Sequence, residues 1–385
     1  MKKTGDLNNR LKTVRTRLRI SQQELATAAG IARQTIGGIE SGVYALSLTT
    51  ALRIAGALGC TVEELFWLEG NRQIVEAELS GELNTMDIGK FPETGQSVRV
   101  ALGQIGNRWI ASPLLGNQAF RTEMIPADGI GTWDATTNTF LVELLDTPEA
   151  LMGMALIAGC APALSLWARS AERWHPGLRV HWLHANSMTA LTALARGEVH
   201  IAGIHLIDPL TGEENSPFVR ETMNGIPCTL INLGIWEEGL AVAPGNPKEL
   251  ISIQDLTRTG VTLVNRERGS GSRLLLDSLL SEAKIKPSSL TDYDFTVSGH
   301  REVAQEIYAG RADAGVCTAS IAESYGLSFL PLRRARYDLA LRTDSLELTA
   351  IQQLLGTLNH RWVLSQLSTL GGYDISRTGE METIV

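Results

Sequence analysis

Cysteine is scarce in this sequence, and the 385 residues include four: Cys60, Cys160, Cys228 and Cys317. None of them forms the C-x-x-C spacing that a structural zinc site or a thioredoxin-like redox pair requires. His181 and His184 are separated by two residues on a predicted strand, which puts their side chains on opposite faces. The sequence therefore predicts reduced, buried thiols and no metal site.

Sequence motifs of catalysis are absent as well. The sequence holds no nucleophile elbow, no Walker loop and no H-E-x-x-H helix, each of which indicates a particular reaction. Ser270 and Ser272, in a glycine-rich turn, have no neighbour in the sequence that resembles a general base. We therefore predict that the protein is not an enzyme and has no catalytic residue and no cofactor.

Targeting signals are also missing from the sequence. The basic N-terminus is not followed by the apolar stretch of about 7–15 residues that a secretory signal contains, so a cytoplasmic location is expected. The uncharged stretch from Ala150 to Ala168 has nineteen residues, close to the length of a membrane span. Gly153, Gly159 and Pro162 divide it into pieces that favour a buried strand, a turn and the start of a helix. We expect no membrane partner.

Length and composition indicate a globular protein of several domains. A single core stops growing at about 250 to 300 residues, so 385 residues predict two or three domains. A content of 44% hydrophobic and 20% charged residues excludes a disordered, collagen-like or small disulfide-stapled chain.

The net charge of −8 hides an uneven distribution. Residues 1–60 contain nine Lys and Arg against three acidic residues, which leaves +6 there and −14 on the remainder. A basic segment on an acidic chain is typical of a domain that approaches phosphate groups.

Apolar spacing and capping signals predict five helices in residues 1–70. The apolar positions of the first helix repeat at helical spacing: Leu7, Leu11, Val14 and Leu18. Ser21 and Glu24 form a capping box at the start of the second helix, and Gly30 ends it. A second capping box begins at Thr61 and starts the fifth helix.

The run SQQELATAAGIARQTIGGIESG, followed by ALRIAGALGCTVEELF, resembles the Xre/Cro-type helix-turn-helix family over residues 7–70. The resemblance implies a double-stranded DNA operator as a partner, read by the third helix, with a phosphate contact from the start of the second. The implied DNA-binding residues are Gln22, Arg33, Gln34, Thr35 and Gly38. Arginine and glutamine side chains can pair with guanine and adenine edges, respectively. The alternative is a small helical interaction domain with a solvated basic face.

Residues 71–150 predict a small β-rich connecting module. The stretches 97–102 and 108–111 alternate as strands around a turn, and a second short-strand set is expected over 131–145. Trp109, Trp133 and Phe140 are too apolar for a solvated tether. The sequence assigns this module no chemistry.

Residues 151–375 predict an α/β domain, in which strand-like apolar runs alternate with helical stretches. The strand-like runs are 151–158, 178–183, 199–206, 228–234, 261–264, 312–316 and 327–331. This rhythm is typical of parallel sheets, which bind ligands at the carboxyl ends of their strands. The stretches 240–243 and 337–341 predict a pair of crossing strands that join two lobes. Residues 376–385 are expected to form a flexible tail.

This region resembles the type-II periplasmic binding proteins, in the branch grouped with molybdate-binding proteins. The runs that carry the resemblance are LARGEVHIAGIHLIDPLTGEENSPF, GLAVAPGNP, LVNRERGSGSRLLLD and GRADAGV. The resemblance implies a two-lobed fold with a ligand between the lobes, and members that begin with an Xre-type domain are regulators. The first loop of the family usually carries a Ser-Asp-Asp type of sequence where this chain has Cys160 and Ala161, so the ligand or its charge is expected to differ.

A glycine- and serine-rich turn is the main candidate for ligand binding. Helix N–H groups, two hydroxyls and three nearby arginines (Arg266, Arg268 and Arg273) predict an oxyanion at residues 269–272. The alternative is an ordinary strand-to-helix turn. The predicted ligand-binding residues are Cys160, Asn186, Ser187, His205, Asp208, Arg268, Gly269, Ser270, Gly271, Ser272, Arg273 and His300. Capping or packing roles stay open for Cys160, Asn186, Ser187 and the two histidines.

The sequence thus predicts a multi-domain transcription regulator. Its fold class is an all-α helix-turn-helix domain, then a β-rich connector, then an α/β two-lobed domain. A homodimer or higher homo-oligomer is expected to read an operator, and a small oxyanion, with molybdate or tungstate the first guess from the resemblance, is expected to change DNA affinity. The alternative is an enzyme or cofactor-handling protein of molybdopterin metabolism that binds a larger anionic ligand.

Overall fold

The protein has two compact units, Met1–Gln73 and Ile74–Val385. This computed structural model describes residues 7–43, 46–68, 73–80, 92–119 and 124–384. Each unit has its own hydrophobic core.

The N-terminal unit is helical, and the five predicted helices are confirmed. The elements are α1 (Leu11–Arg17), α2 (Gln22–Ala29), α3 (Arg33–Glu40), α4 (Leu48–Leu58), α5 (Val62–Leu65), β1 (Leu7–Asn9) and β2 (Phe66–Leu68). Both capping boxes form, at Ser21 and at Thr61, and Gly30 ends α2 with a left-handed φ of 65°. The prediction that Leu7 belongs to the first helix is wrong, because Leu7 lies in β1, paired with Leu68 of β2.

One apolar cluster holds this unit together. Its fully buried members come from every helix: Leu11, Leu25, Ile36, Ile54 and Leu65. Each such side chain stabilises the fold by about 1.5–3 kcal/mol relative to its exposed state. The short helices depend on this shared core, since isolated helices of seven to eleven residues are marginal in water.

The second unit begins with a closed five-stranded barrel, so the predicted connector is indeed β-rich. Its strands are β3 (Ile74–Leu79), β4 (Ser97–Ile105), β5 (Arg108–Pro113), β6 (Gly129–Asp134) and β7 (Thr139–Leu144), in the order β3-β5-β4-β6-β7. The β4–β5 hairpin and the second strand pair match the prediction. Phe140, Val142 and Leu102 fill the interior.

The barrel packs directly on the first strand of the following domain. Ile110 of β5 shares a buried cluster with Met154 and Leu156. A Cβ at Gly103 of β4 would lie 2.4 Å from Leu156 Cδ1, so only glycine permits this approach. Arg179 and Asp128 form an ion pair across the same junction.

The remaining residues form an α/β domain around a single ten-stranded sheet. The helices are α6 (Pro148–Leu151), α7 (Ala163–Trp174), α8 (Ser187–Ala195), α9 (Ser216–Met223), α10 (Gly271–Glu282), α11 (His300–Tyr308), α12 (Ala319–Ser324), α13 (Thr349–Gly356) and α14 (Arg361–Ser368). The strands are β8 (Met154–Gly159), β9 (Arg179–His184), β10 (Ile201–Ile204), β11 (Cys228–Val242), β12 (Leu263–Arg266), β13 (Thr296–Val297), β14 (Ala314–Thr318), β15 (Ser328–Arg342), β16 (Tyr373–Asp374) and β17 (Met381–Ile384).

Two strands of fifteen residues each, β11 and β15, join the lobes. They pair antiparallel over nearly their whole length, in the sheet order β13-β12-β14-β11-β15-β10-β8-β9. The parallel strands β8, β9 and β10 lie on one side of this pair, and β12 and β13 lie on the other with β14. The prediction of two strands that join the lobes is confirmed, and both are longer than predicted.

The prediction of a flexible tail over 376–385 is wrong. Residues Met381–Ile384 form β17, which pairs antiparallel with Cys228–Ile231 of β11. Ile384 is 5% exposed and packs in the same cluster as Leu230. The sheet thus extends over the end of the described chain.

The stretch with the length of a membrane span has the predicted alternative structure. It contains β8, a turn and the start of α7, all packed in the core. Across the residues that the structure describes, every helix is too short or too polar to span a bilayer.

Candidate functional site

The start of α3 presents the residues that the sequence predicts to read DNA. Arg33 and Gln34 are exposed, and Thr35 is half-buried. Gly38 is half-buried on the same helix, and the buried face of α3 carries Ile36. Among these predicted residues, Arg33 and Gln34 are therefore the side chains most open to a base edge.

Gln22 has a partner within its own unit. Its Nε2 donates to Glu40 Oε2 at 2.8 Å, and Arg15 forms an ion pair with the same carboxylate at 2.5 Å. Burial would raise the pKa of Glu40, but the hydrogen bonds from Arg15 and Gln22 lower it below its usual value. A phosphate contact from Gln22 remains a prediction, and the observed role of this amide is to link α2 to the end of α3.

In the second unit, the predicted ligand residues gather where parallel strands end. Cys160 follows β8, Asn186 precedes α8, and His205 follows β10. Arg266 ends β12, and His300 begins α11 after β13. The two lobes therefore contribute loops to one cleft, as the βα pattern predicts.

The glycine-serine turn between β12 and α10 is tightly fitted against the other lobe. Gly269 has a left-handed φ of 88°, and a Cβ on Gly271 would lie 2.0 Å from His205 O. Ser270 is the N-cap of α10, since its Oγ accepts from Arg273 N at 3.3 Å and donates to Glu267 O at 2.9 Å. Ser270 therefore does what an ordinary strand-to-helix turn requires.

A carboxylate of the chain itself lies beside this turn. Ser272 Oγ donates to Glu238 Oε1 at 2.5 Å, and Glu238 is 1% exposed. A negatively charged group near a helix N-terminus is favourable. The hydroxyl of Ser272, predicted to contact a bound oxyanion, is thus already used by Glu238 of β11.

The three arginines that lie near the turn in the sequence have different partners in the structure. Arg266 pairs with Glu267 at 2.8 Å, whereas Arg273 pairs with Asp277 at 3.1 Å. The Arg273 guanidinium also lies 4.3 Å from the ring centroid of Tyr293. Arg268 is exposed. The three guanidiniums therefore do not act together: Arg273 is held by Asp277 and Tyr293, Arg268 faces solvent, and Arg266 is buried.

Arg266 is the arginine buried in the cleft. It is 1% exposed, and its Nη2 reaches Ser298 O at 3.4 Å. Burial would lower its pKa, but Glu267 outweighs that effect and raises it. Within the described part of the chain, Arg266 Nη1, His300 Nδ1 and Trp236 Nε1 are buried without a hydrogen-bond partner.

A thiol and two imidazoles meet in the same cleft. Cys160 Sγ lies 3.3 Å from His205 Nε2 and 3.8 Å from His300 Nε2. All three side chains are buried. The sequence analysis named all three as ligand-binding residues, but it did not predict that they converge.

The charges of this cluster are set by Glu238. Its Oε2 lies 3.5 Å from His205 Nδ1. Burial would lower the pKa of His205, but Glu238 and Cys160 outweigh it and raise the pKa to about 10. Burial together with the nearby Arg266 lowers the pKa of His300 well below its usual value. His205 and Glu238 thus form a buried ion pair, whereas His300 is neutral.

Three other predicted ligand residues have structural roles. Asn186 Oδ1 accepts from Thr189 N at 2.9 Å and caps α8, and Ser187 Oγ accepts from His205 N at 3.2 Å. Asp208 accepts from the backbone N–H of Leu210 at 2.7 Å and stabilises a surface loop. The capping alternative therefore applies to Asn186, while Ser187 positions His205.

Sequence reasoning missed Glu238, Trp236 and Tyr337. Trp236 packs against His205 with ring centroids 4.8 Å apart, and Tyr337 lies 5.8 Å from the same ring. The signal for Glu238 was available, because an acidic residue inside a strand as apolar as 228–242 needs a partner. For Trp236 and Tyr337 the sequence gives no signal that separates them from core residues.

Comparison with known proteins gives a match for each unit. Residues 11–65 match the helix-turn-helix family, and residues 168–359 match the PBP superfamily domain. The uncharacterized HTH-type transcriptional regulator YgzD of Bacillus subtilis (strain 168) is 41% identical over 63 residues, which are 16% of this chain and 96% of that protein. The uncharacterized protein YvgK of the same organism is 33% identical over 199 residues, which are 51% of this chain and 64% of YvgK.

Two of the solved structures that match the chain do so at low sequence identity. A putative phosphate ABC transporter substrate-binding protein with bound phosphate from Clostridium perfringens is 12% identical with a TM-score of 0.48, and the match covers 58% of this chain and 100% of that one. The substrate-binding domain of a putative molybdenum ABC transporter from Clostridium difficile is 13% identical with a TM-score of 0.40, covering 57% and 98%.

Proposed function

The chain belongs to the helix-turn-helix transcriptional regulators, here fused to a ligand-binding domain of the PBP superfamily, and we propose that a small oxyanion in the interlobe cleft controls its operator affinity. The observation that carries this proposal is the buried guanidinium of Arg266, whose Nη1 has no partner among the described residues. A buried donor left unpaired costs about 1–3 kcal/mol, which a bound acceptor recovers.

An oxyanion fits the donors that surround Arg266. Among the residues described, His300 Nδ1 and Trp236 Nε1 are two further buried N–H candidates without an acceptor, and their rings lie 5.4 Å apart. The ion pairs Arg266–Glu267 and His205–Glu238 already balance the charge of the cleft. The ligand is therefore held by directed donors more than by net charge. Molybdate and tungstate are the first candidates, because a tetrahedral oxyanion offers acceptors in several directions.

Regulation requires that the ligand distinguish two arrangements of the lobes. Because β11 and β15 run through both lobes, ligand contacts from both sides of the cleft favour the closed arrangement. A coupling free energy of about 1–3 kcal/mol changes operator affinity by about five- to 150-fold. We further propose that the protein acts as a homodimer on an operator with two half-sites.

A thermal-shift screen of oxyanions against the whole protein tests this proposal. Molybdate, tungstate, phosphate and sulfate are each added, and at least one is expected to raise the melting temperature in a concentration-dependent way. Arg266→Gln is expected to lose this shift. Arg268→Gln, which removes an exposed arginine from the same turn, is the matched control and keeps it. A screen in which no oxyanion stabilises the wild type contradicts the proposal.

One observation favours the alternative of an enzyme that handles a larger anionic ligand. The thiol of Cys160 lies next to the imidazole of His205, and that imidazole lies next to the carboxylate of Glu238. This spatial order is the arrangement of an activated thiol nucleophile. The two functions differ in what happens to the ligand. A sensor returns its ligand unchanged after heat release, whereas an enzyme returns a product, and mass spectrometry of the released ligand distinguishes them.

A further inference from the structure

The cluster of Cys160, His205 and His300 contains three side chains that bind metal ions. They come from the end of β8, the end of β10 and the start of α11, so both lobes contribute. One potential ligand atom of each lies within 4.8 Å of the others, and every one of the three residues is at most 2% exposed. Thiolate and imidazole are ligands that suit zinc and other late transition-metal ions.

The spacing of these atoms matches a tetrahedral centre. Zinc binds cysteine sulfur at about 2.3 Å and histidine nitrogen at about 2.0 Å, so tetrahedral angles place such ligands about 3.5 Å apart. The observed Sγ–Nε2 distances are 3.3 Å for His205 and 3.8 Å for His300. For these two pairs of atoms an ion therefore requires shifts of only a few tenths of an ångström, and one ring nitrogen of each histidine lies within 4.8 Å of that of the other.

The surroundings of His205 hold it in the orientation of a metal ligand. Its Nε2 faces Cys160, while its Nδ1 lies 3.5 Å from Glu238, which in turn accepts from Ser272. A carboxylate on the far nitrogen is the usual second partner of a metal-bound histidine. Gly271 packs so closely on the backbone of His205 that the loop has little room to move.

We propose that Cys160, His205 and His300 bind one Zn²⁺ ion, with the fourth coordination position open toward the cleft. Cys160 binds as the thiolate and both histidines bind through Nε2, so the proton of the thiol and that of His205 Nε2 are released to water. The +2 charge of the ion and the −1 charge of the thiolate give the metal centre a net charge of +1. The open position then accepts one oxygen of an anionic ligand, a step that rests on the proposed function, whereas metal binding itself does not.

Cobalt(II) substitution in the reduced whole protein tests the site directly. Co²⁺ added to the wild type is expected to give a thiolate-to-cobalt charge-transfer band and the intense visible bands of a tetrahedral centre, and Zn²⁺ is expected to remove both. Because this readout uses the wild type, it does not depend on whether any variant folds. A wild type that binds one equivalent of neither ion overturns the proposal.

Variants identify the ligands. Cys160→Ser and His300→Gln are each expected to lower Zn²⁺ affinity by more than about 100-fold, and Glu238→Gln, which acts through His205, by about 10–100-fold. Cys228→Ser is the matched control, since this buried thiol lies outside the cluster, beside Thr229 O, and it leaves affinity unchanged. Zinc binding that survives Cys160→Ser with the charge-transfer band intact overturns the assignment.

The metal site and the oxyanion-sensor function can each be contradicted without contradicting the other. Absence of Co²⁺ bands together with an oxyanion-dependent melting shift overturns the metal site and leaves the sensor function standing. Tetrahedral Co²⁺ bands that are lost in Cys160→Ser support the metal site even where no oxyanion changes the melting temperature.

Discussion

Arg33 is the first residue of α3, and its exposed side chain makes it the strongest candidate for base recognition. We expect Arg33→Ala to relax operator preference, because loss of a good bidentate contact removes about 1–3 kcal/mol of discrimination at one base pair. Selection from a randomised duplex library with wild type and variant measures this change. Arg53→Ala removes the same charge from α4 and is expected to leave the selected sequence unchanged. Identical selected sequences from Arg33→Ala and wild type would contradict the assigned role.

His200, on the domain side of the barrel junction, is expected to make the free energy of unfolding depend on pH. Burial lowers its pKa to about 4, and its Nδ1 accepts from Leu156 N at 3.0 Å. Between pH 6.5 and about 4 the unfolded chain binds a proton at this imidazole and the folded protein does not. The stability that the neutral imidazole contributes above pH 6.5 is therefore lost as the pH falls, by up to about 3 kcal/mol.

Urea unfolding at pH 7 and pH 4.5 tests this dependence. His200→Asn keeps a hydrogen-bond acceptor for Leu156 and removes the titration, so its unfolding free energy is expected to fall less than that of the wild type over this range. His175→Asn, at the C-terminus of α7, is the control and is expected to follow the wild type. Equal losses in His200→Asn and wild type would show that His200 does not cause the dependence.

At the residue scale, the sequence named the loops that meet at the candidate site between the lobes, but it did not predict which charged side chains pair there. Cys160, His205 and His300 were all named, yet 45 and 140 residues separate the cysteine from the two histidines. Local patterns carry no information on such contacts. The pairing of Arg273 is a different case, because Asp277 lies one helical turn later, so a local pattern that the sequence shows competes for this guanidinium.

The contact between the β-barrel and the lobe beside it depends on one glycine of β4. A methyl group at Gly103 would lie 2.4 Å from Leu156 Cδ1 and 2.5 Å from its Cγ, so the buried side chain of Leu156 would have to move. We expect Gly103→Ala to lower the free energy of unfolding by about 1–3 kcal/mol, as overpacking usually does. Urea denaturation measures the loss.

Gly177→Ala is the control for that substitution. Gly177 lies in the turn before β9, where an added Cβ has nothing within 4 Å. Its substitution is expected to change the free energy of unfolding by less than about 0.5 kcal/mol. If Gly103→Ala lowers the free energy of unfolding no more than Gly177→Ala does, the barrel packs against Leu156 less tightly than the distances indicate.

At the element scale, strands were predicted well where they are long and apolar. Each predicted strand-like run overlaps an observed strand, and the helices after β8, β9 and β12 begin within a residue or so of the predicted starts. Strand β13 has two residues and gives no periodic signal. Strand β17 was missed because it has four residues, three of them exposed, and its identity as a strand depends on pairing with β11.

For the whole molecule, the division of charge sets how association with DNA depends on salt. The +6 carried by residues 1–60 releases counterions from the phosphates that it contacts, while the −14 on the remainder limits nonspecific binding elsewhere. We expect operator affinity to fall steeply with salt, with a log–log slope of about −0.9 per phosphate neutralised. Fluorescence anisotropy of a labelled operator over a series of NaCl concentrations measures this slope, and a flat response contradicts phosphate contacts by this segment.

The order of domains was readable from sequence, because each domain has its own local signature. Capping boxes mark the helical unit, alternating strands mark the barrel, and the βα rhythm marks the lobes. Closure of the barrel was not predictable, since the parallel pairing of β3 with β5 depends on residues about thirty positions apart. Local signals fix the elements, and contacts between distant residues decide how they assemble.

The long pair β11 and β15 has a mechanical consequence. Its register shifts at two points, between Asn232 and Gly234 and between Glu238 and Gly239. Gly239 is crowded, since a Cβ there would lie 2.3 Å from Leu330 O. A β-bulge bends the strand that carries it, so we expect one lobe to rotate against the other about the second shift, where β11 pairs with both β15 and β14. Glu238 lies at this shift, so a ligand that changes its interaction with His205 is expected to act on the strands that join the lobes and not only on the edges of the cleft.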